Sequence, residues 1–405
     1  MTGLWWIRDD MRLQNNPTWE AARAWQAQTG GTLQAVWVPS SDTSIHFREF
    51  QDPLPRSSTG KASYEAACFK ALQASLAQYN IDATEGHDGI LALVRALQPT
   101  VVFFTSGSAH EERVQEAALL ATGTVCESYY SRTLLTPAQA FDRGLPPTYT
   151  PFRKRVEALL GERPFPAIAT YDGPQKEAWP FSPMEEEARA HLYAYVAAEG
   201  PGRRYKTTRN GMLDAQDSTK LSAYLSRGLL HPKEVWNRCL EVENAVGGCE
   251  EIYWIRFELL WREYFQWVAY EAGAKLFQAR GLKHEGSLET RMGSRKAFEL
   301  WTEGRTGDAL VDAAMRELKA TGYQSNRARQ NAASYWIHDL KQPWRVGAAY
   351  FEAMLVDYDA ASNWGNWAYI AGVGNDPRPF RKFNTHKQAE QYDPDGSYRA
   401  AWSSQ

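Results

Sequence analysis

Cysteine is scarce in this chain: Cys68, Cys126, Cys239 and Cys249 are the only four, with no C-x-x-C pair and no histidine close by. Neither a disulfide framework nor a zinc site is indicated by that spacing, so no metal is expected and the thiols should be ordinary buried or half-buried groups. Long hydrophobic runs are missing as well, because no apolar stretch reaches the roughly 18 residues that a membrane span requires. The G-x-G-x-x-G dinucleotide fingerprint is absent, as are internal repeats and low-complexity tracts. The first ten residues, "MTGLWWIRDD", put a charged pair straight behind a short apolar run, which reads as a first strand rather than a signal peptide. A cytoplasmic protein with no membrane contact is the expectation. What is present is soluble globular composition, 43% hydrophobic and 23% charged over 405 residues, enough for two or three domains with substantial cores.

Charge is unevenly spread. Residues 1–200 carry 17 Lys+Arg against 23 Asp+Glu, and residues 201–405 carry 28 against 25, within a net charge of −3. An acidic first half and a mildly basic second half permit a polyanionic partner without requiring one.

The first part alternates strand and helix. Short β-branched and aromatic runs at 4–8, 32–38, 80–85, 100–106 and 124–131 are separated by helical patterns such as 60–79 and 109–121. That alternation predicts a doubly wound parallel sheet over residues 1–131. Residues 132–200 are punctuated by prolines, from Pro137 to Pro183, and read as a long connector draped over the surface. From 201 to 405 helical periodicity dominates, at 232–245, 250–273, 307–320, 325–340 and 343–357, and an all-α domain is expected. The segment "SNWGNWAYIAGVGNDPR" (362–378) shows neither a strand's alternation nor a long helix's stripe.

Three helical-domain segments carry chemistry. "FELLWREYF" (257–265) sets Glu258, Trp261, Arg262 and Phe265 on one side of a helix, where a carboxylate and a guanidinium among aromatic rings suit a polar guest; a surface ion pair beside a core tryptophan is the plainer alternative. "TGYQSNRARQNAASYW" (321–336) opens a helix with Ser325 as N-cap and brings Asn326, Arg327, Arg329 and Gln330 into its first two turns, which suits an anionic or polar ligand or a solvated first turn. "VDYDAASNWGNW" (356–367) adds Asp357 and Asp359, carboxylates among apolar neighbours that need cations, with Arg329 the candidate partner for one of them.

Together with "YKTTRNGML" (205–213), "STKLSAYLSRGLLHP" (218–232), "LVDAAMRELKATGYQSNRARQNAAS" (310–334), "LPPTYTPFRKRVE" (145–157) and "LWWIRDDMRLQNNP" (4–17), these motifs resemble the photolyase/cryptochrome family over nearly the whole chain, and most closely its DASH-type cryptochromes. The resemblance implies an α/β antenna-type domain followed by a helical domain that holds FAD in a U-shaped conformation. It implies blue-light repair of cyclobutane pyrimidine dimers in DNA, preferentially single-stranded, by electron transfer from reduced FAD. Two other readings stay open: a non-repairing photoreceptor that signals through flavin photoreduction, and a flavin- and nucleic-acid-binding protein with no light output. A monomer is expected.

Residue by residue, the resemblance assigns Tyr205 and the turn Ser218, Thr219, Lys220, Leu221 and Ser222 to the FAD phosphates, with Arg262 beside them. Asn326 and Arg329 would run along the isoalloxazine, Arg329 paired to Asp357; Asp359, next to Tyr358, would reach the flavin's polar edge, and Asn363 would face N5. Trp367 would be the tryptophan nearest the flavin and Trp344 the next in an electron-transfer chain. Glu258 would hydrogen-bond the dimer at the edge of the cofactor, Trp261 and Tyr369 would wall the lesion, and Arg327 and Gln330 would lie on its DNA-binding rim. Arg203, Arg204, Arg345, Arg378 and Arg381 are further candidates for phosphate contact. A methenyltetrahydrofolate antenna held through Glu112 is one option, a deazaflavin-type antenna or none the others.

The sequence departs from the family in three places. Arg291 stands where relatives carry an outermost tryptophan, which makes Trp301 and Trp336 the candidates for another exit. Asp308–Ala309 replaces a Tyr-Pro pair. The family also usually continues well past "YDPDGSYRAAW", and a shorter end is expected to remove surface contacts rather than the flavin site.

Overall fold

A computed structural model describes residues 1–39, 44–166, 168–173, 181–283, 292–376 and 381–403. Strands β1 (Thr2–Ile7), β2 (Thr32–Trp37), β5 (Asp82–Glu85), β6 (Val101–Thr105) and β7 (Cys126–Tyr129) form one parallel sheet in the order β5-β2-β1-β6-β7. The hairpin β3 (Ile45–Phe47) and β4 (Phe50–Leu54) stands apart from it and has no counterpart in the sequence reading. Central strand β1 is hydrophobic on both faces because both are covered. Trp5 and Ile7 join the core under α1 (Pro17–Thr29) and α2 (Thr59–Ala77), while Leu4 and Trp6 meet α3 (Ile90–Leu97) and α4 (His110–Leu120). Helix α1 starts where Asn16 caps the N–H groups of Thr18 and Trp19 with Pro17 at the first position, and it ends at left-handed Gly30.

The connector is not draped over the surface. It holds α5 (Pro137–Ala140), α6 (Tyr149–Leu160) and α7 (Glu185–Tyr195), and buries Leu134, Leu135, Phe152, Val156, Leu192 and Tyr195 in the largest core cluster. Pro137 opens α5 rather than interrupting it, sitting just inside that helix.

The helical part comprises α8 (Tyr205–Thr208), α9 (Ser222–Ser226), α10 (Pro232–Ala245), α11 (Glu250–Ala272), α12 (Arg295–Thr302), α13 (Ala309–Thr321), α14 (Asn326–Ser334), α15 (Trp344–Met354), α16 (Ala360–Ile370), α17 (Thr385–Tyr392) and α18 (Ser397–Ala401). Helix α14 runs into a π-helical turn, Tyr335–Asp339. Helix α16 takes up the first part, 362–370, of the segment that sequence periodicity left unassigned. Its buried face is built from Asn363, Trp364, Gly365 and Trp367 together with Ala361, Ala368 and Ile370, so a stripe that mixes amide and glycine with indole escapes an apolar period. No helix among the described residues is long and apolar enough to cross a membrane.

Candidate functional site

Helix α11 delivers Glu258, Trp261 and Arg262 from the centre of the helical domain, and the chain around α8 faces it. The Glu258 carboxylate is engaged by Arg209, which follows α8 and whose guanidinium lies 4.6 Å from the centre of the Trp254 ring. Burial pushes the Glu258 carboxyl up, and Arg209 opposes that shift. Trp261 stacks on Tyr149 from the connector at 3.7 Å with a 10° interplanar angle, and meets Tyr369 edge-on at 6.0 Å. Arg209 and Tyr149 were both missed as site residues. Their signals are faint: Arg209 stands four residues after Tyr205, and Tyr149 lies within "LPPTYTPF".

A cavity of about 230 Å³ opens between α14, α15 and α16. Ser325 caps α14 as expected, accepting from Ala328 N. Asn326, Arg329 and Gln330 from α14, Asp357, Tyr358 and Asp359 from the turn before α16, Asn363 and Trp367 from α16, and Ser222 of α9 line it. Arg329 donates to Asp357 Oδ2 at 2.8 Å, which is the pairing the sequence pointed to; Asp357 Oδ1 is buried without a hydrogen-bond partner among the described residues. The Asn363 amide is buried and donates to the Ala348 carbonyl at 3.0 Å, which fixes its orientation.

Asp359 is a hub. It caps α16 through Ser362 N at 2.7 Å, and accepts from Gln266 Nε2 at 2.8 Å and from Arg132 Nη2 at 3.4 Å. Arg262 Nη2 lies 4.0 Å away, and its Nη1 donates to the Arg132 carbonyl. Burial pushes the Asp359 carboxyl up, but Arg262 and Arg132 outweigh it and hold the group below the usual range. Gln266 and Arg132 were also missed. The Tyr358 hydroxyl donates to Glu352 and is raised well above its usual pKa by burial and by that carboxylate.

The expected phosphate turn is irregular backbone. Lys220 is left-handed at φ +53° with its ammonium 5.0 Å from the Tyr323 ring centre, Thr219 offers its carbonyl to His191 Nε2 at 2.9 Å, and Leu221 is buried. Ser218 is extended at the end of a short 3₁₀ turn, and Tyr205 is buried on the Glu258 side. Of this set only Ser222 reaches the cavity wall. The residues nonetheless fit a flavin dinucleotide. The wall combines amides, hydroxyls, a guanidinium and a carboxylate, matching a ring edge that alternates carbonyl and N–H groups, and both Asp357 Oδ1 and Arg262 Nη2 have bonding capacity to spare.

The electron-transfer pair is not brought together as a ring contact. Trp367 meets Trp301 at 6.2 Å and Phe351 at 5.1 Å, whereas Trp344 pairs with Trp364 at 5.7 Å and donates to the Ala279 carbonyl. Trp301 in turn packs on Trp336 at 4.8 Å and on half-buried Tyr350 at 5.6 Å. Glu112 is half-buried in a 2.5 Å pair with Arg132, also accepting from Ala109 N, and it lines a second cavity of about 310 Å³ with Glu111, Arg56 and Tyr358. Arg345 is committed to buried Glu49, and Arg381 to buried Asp376 with its guanidinium over Tyr369, so neither is a loose surface charge. Arg327 Nη2 donates to Asn210 at 2.8 Å and its Nη1 to Gln330. Arg203 and Arg204 are exposed, while Arg291 and Arg378 lie outside the described residues.

The DNA photolyase family model matches residues 3–169, and the model for the FAD binding domain of DNA photolyase matches residues 254–405. The chain is 36% identical to the Cryptochrome DASH of Idiomarina loihiensis, over 99% of this chain and 92% of that protein. It is likewise 36% identical to the Cryptochrome DASH of Natronomonas pharaonis, over 99% and 90%. The crystal structure of Synechocystis sp. PCC6803 cryptochrome superposes with a TM-score of 0.85 at 31% identity, covering 99% of this chain and 88% of that one.

Proposed function

The chain belongs to the photolyase/cryptochrome family, among the DASH cryptochromes, and on that footing we propose that it repairs cyclobutane pyrimidine dimers in single-stranded DNA under blue light. When bound, reduced FAD supplies the excited electron that opens the cyclobutane ring and takes that electron back. The protein does the rest. Asn326, Arg329, Asp357 and Asn363 hold and orient the cofactor's polar edge, and the half-buried rings of Trp261 and Tyr369, which meet edge-on, offer an aromatic wall to two unstacked bases. Glu258 aligns the bases by hydrogen bonds, while Arg327 and Gln330 hold the flanking strand. Extruding a dinucleotide costs a few kcal/mol in a duplex and less in a single strand, so a single strand is the easier substrate.

The observation that carries this reading is the constellation of a half-buried carboxylate, Glu258, one helical turn from an indole, Trp261, that is itself clamped between Tyr149 and Tyr369. A structural ion pair has no need of an aromatic wall beside it.

For reactivation of oxidised cofactor, Trp367 at the cavity wall is the first electron donor. The ring contacts favour Trp301, with Trp336 and Tyr350 behind it, over Trp344 as its successor. The second cavity, where Glu111 is the more exposed carboxylate, is the place for a folate-type antenna if one is carried. A cytoplasmic monomer remains the proposal for its cellular state. The test is to illuminate FAD-loaded, reduced protein with dimer-containing oligonucleotides, single- and double-stranded, and to follow dimer loss. Faster loss on single strands supports the reading. Light-dependent flavin chemistry with no dimer loss on either substrate overturns it and leaves the photoreceptor.

A further inference from the structure

Glu258 has a partner that its expected task would have to displace. The carboxylate of α11 is taken by Arg209, whose own side chain is 24% exposed against 30% for Glu258, so the pair sits at the rim where an entering strand reaches it. Arg209 retains an uncommitted donor, because its Nε is buried without a partner among the described residues. Its planar face rests over Trp254, which can keep the guanidinium in place while its edge changes partner. Next along the chain, Asn210 holds Arg327, so the two arginines stand close enough to feel each other's charge.

Substrate chemistry sets the conflict. The pairing edge of each thymine offers an N–H donor and a carbonyl acceptor, whereas an ionised carboxylate only accepts. Glu258 paired to Arg209 therefore meets the N–H groups but repels the carbonyls. A neutral carboxyl donates to one and accepts from the other.

We propose that Arg209 is a phosphate-released latch on Glu258: an entering backbone phosphate draws the guanidinium off the carboxylate, and Glu258 takes up one proton from solvent and faces the lesion as a neutral carboxyl. The balance is simple. One proton enters, the guanidinium keeps its charge against the phosphate, and no covalent bond in DNA or protein changes. The titratable groups around Glu258 agree with that direction. Arg209 is the cation opposing the burial of Glu258, while the neighbouring phenols Tyr149 and Tyr205 are themselves pushed up by burial and stay neutral. Arg209 is thus a positioning residue, acting through Glu258.

This inference rests on dimer recognition but not on repair, so it is tested in the dark. Binding of a dimer-containing single-stranded oligonucleotide to the FAD-loaded protein is measured by calorimetry in two buffers of different ionisation heat. Wild type is expected to take up about one proton per oligonucleotide bound, and to bind more weakly as pH rises, by roughly tenfold per unit at the limit. Glu258→Gln, neutral and able both to donate and to accept, is expected to bind without proton uptake or pH slope. Arg209→Gln should lose most of the uptake because no cation then opposes the burial that favours the protonated Glu258, and Arg209→Lys should restore it. Equal FAD content and unfolding midpoints show that the variants are folded. Tight dimer binding by wild type with no proton uptake, or a pH slope that survives Glu258→Gln, overturns the latch and leaves the repair reading standing. No preference for dimer-containing over undamaged DNA removes both.

Discussion

Glu258 and Asn363 are polar groups at the edge of apolar space, and each is secured differently. Glu258 leans on a charge from the chain just past α8, whereas Asn363 is fixed by a carbonyl of the neighbouring helix, Ala348. Glu258→Ala should therefore retain FAD and lose repair, because the carboxyl acts on substrate and on charge developing there, not on cofactor anchoring. Flavin content after purification and dimer loss under light check the two halves separately, and flavin loss would remove the assignment. Asn363→Asp is expected to change the absorption spectrum reached under blue light, since a protonatable group then faces the cofactor; spectra matching the parent throughout photoreduction would show that residue 363 does not face it. Much of this was legible in sequence, but unevenly. Arg329 and Asp357 could be paired because an isolated carboxylate near a helix rich in cations has few choices. Arg209, Tyr149, Arg132 and Gln266 could not, because they meet their partners across as many as 227 positions of chain, and no local period records such contacts.

At the scale of elements, α15 and α16 decide where Trp367 sits. A methyl group on Gly347 of α15 would stand 2.4 Å from Trp367 and 2.8 Å from Trp336, so the glycine allows the two rings to meet the helix backbone. Gly347→Ala should cost about 1–3 kcal/mol in denaturant unfolding and shift both indoles. Trp367→Phe should abolish flavin photoreduction and Trp301→Phe should slow it, as read by transient absorption; fast photoreduction without Trp301 would return the route to Trp344. Helix α18 offers a pH handle. Tyr398 donates to Glu317 of α13, and burial raises that carboxyl to about 7, while Tyr398, Lys220 and Arg329 pull it down. A raised acid binds its proton more readily in the folded state, so its stabilising effect is full below the unfolded value near 4.5 and is lost as pH climbs through about 7. The step is at most about 2 kcal/mol after allowing for its partial exposure, and Glu317→Gln should flatten it in unfolding curves taken between those pH values. Helix α16 itself was illegible because its buried stripe is polar where it meets the cavity. The parallel sheet was legible because its strands are short apolar runs between amphipathic helices.

Over the whole molecule, the α/β and helical parts are held by charges with little access to water. Arg132 reaches Asp9, Glu112 and Asp359, Arg227 reaches Asp9 and Glu65, and Arg345 reaches Glu49 of the hairpin. Arg227 and Arg345 set cations of the second half against anions of the first, whereas Arg132 and Asp359 pair across the same seam with the signs reversed. That seam runs to Asp359 at the start of α16, so the cavity is braced from the α/β side as well as from within the helical domain. The claim on which these assignments converge is that the aromatic wall of Trp261 and Tyr369 receives a pyrimidine dimer for repair with Glu258. Its most direct measurement is dimer loss from a single-stranded oligonucleotide under blue light, with fully reduced, FAD-loaded wild type and Glu258→Ala compared at equal flavin content. The account predicts dimer loss with the wild type and a drop of at least about tenfold with the variant, equivalent to about 1.4 kcal/mol; equal rates for the two proteins, or no repair by the fully loaded wild type, would contradict it.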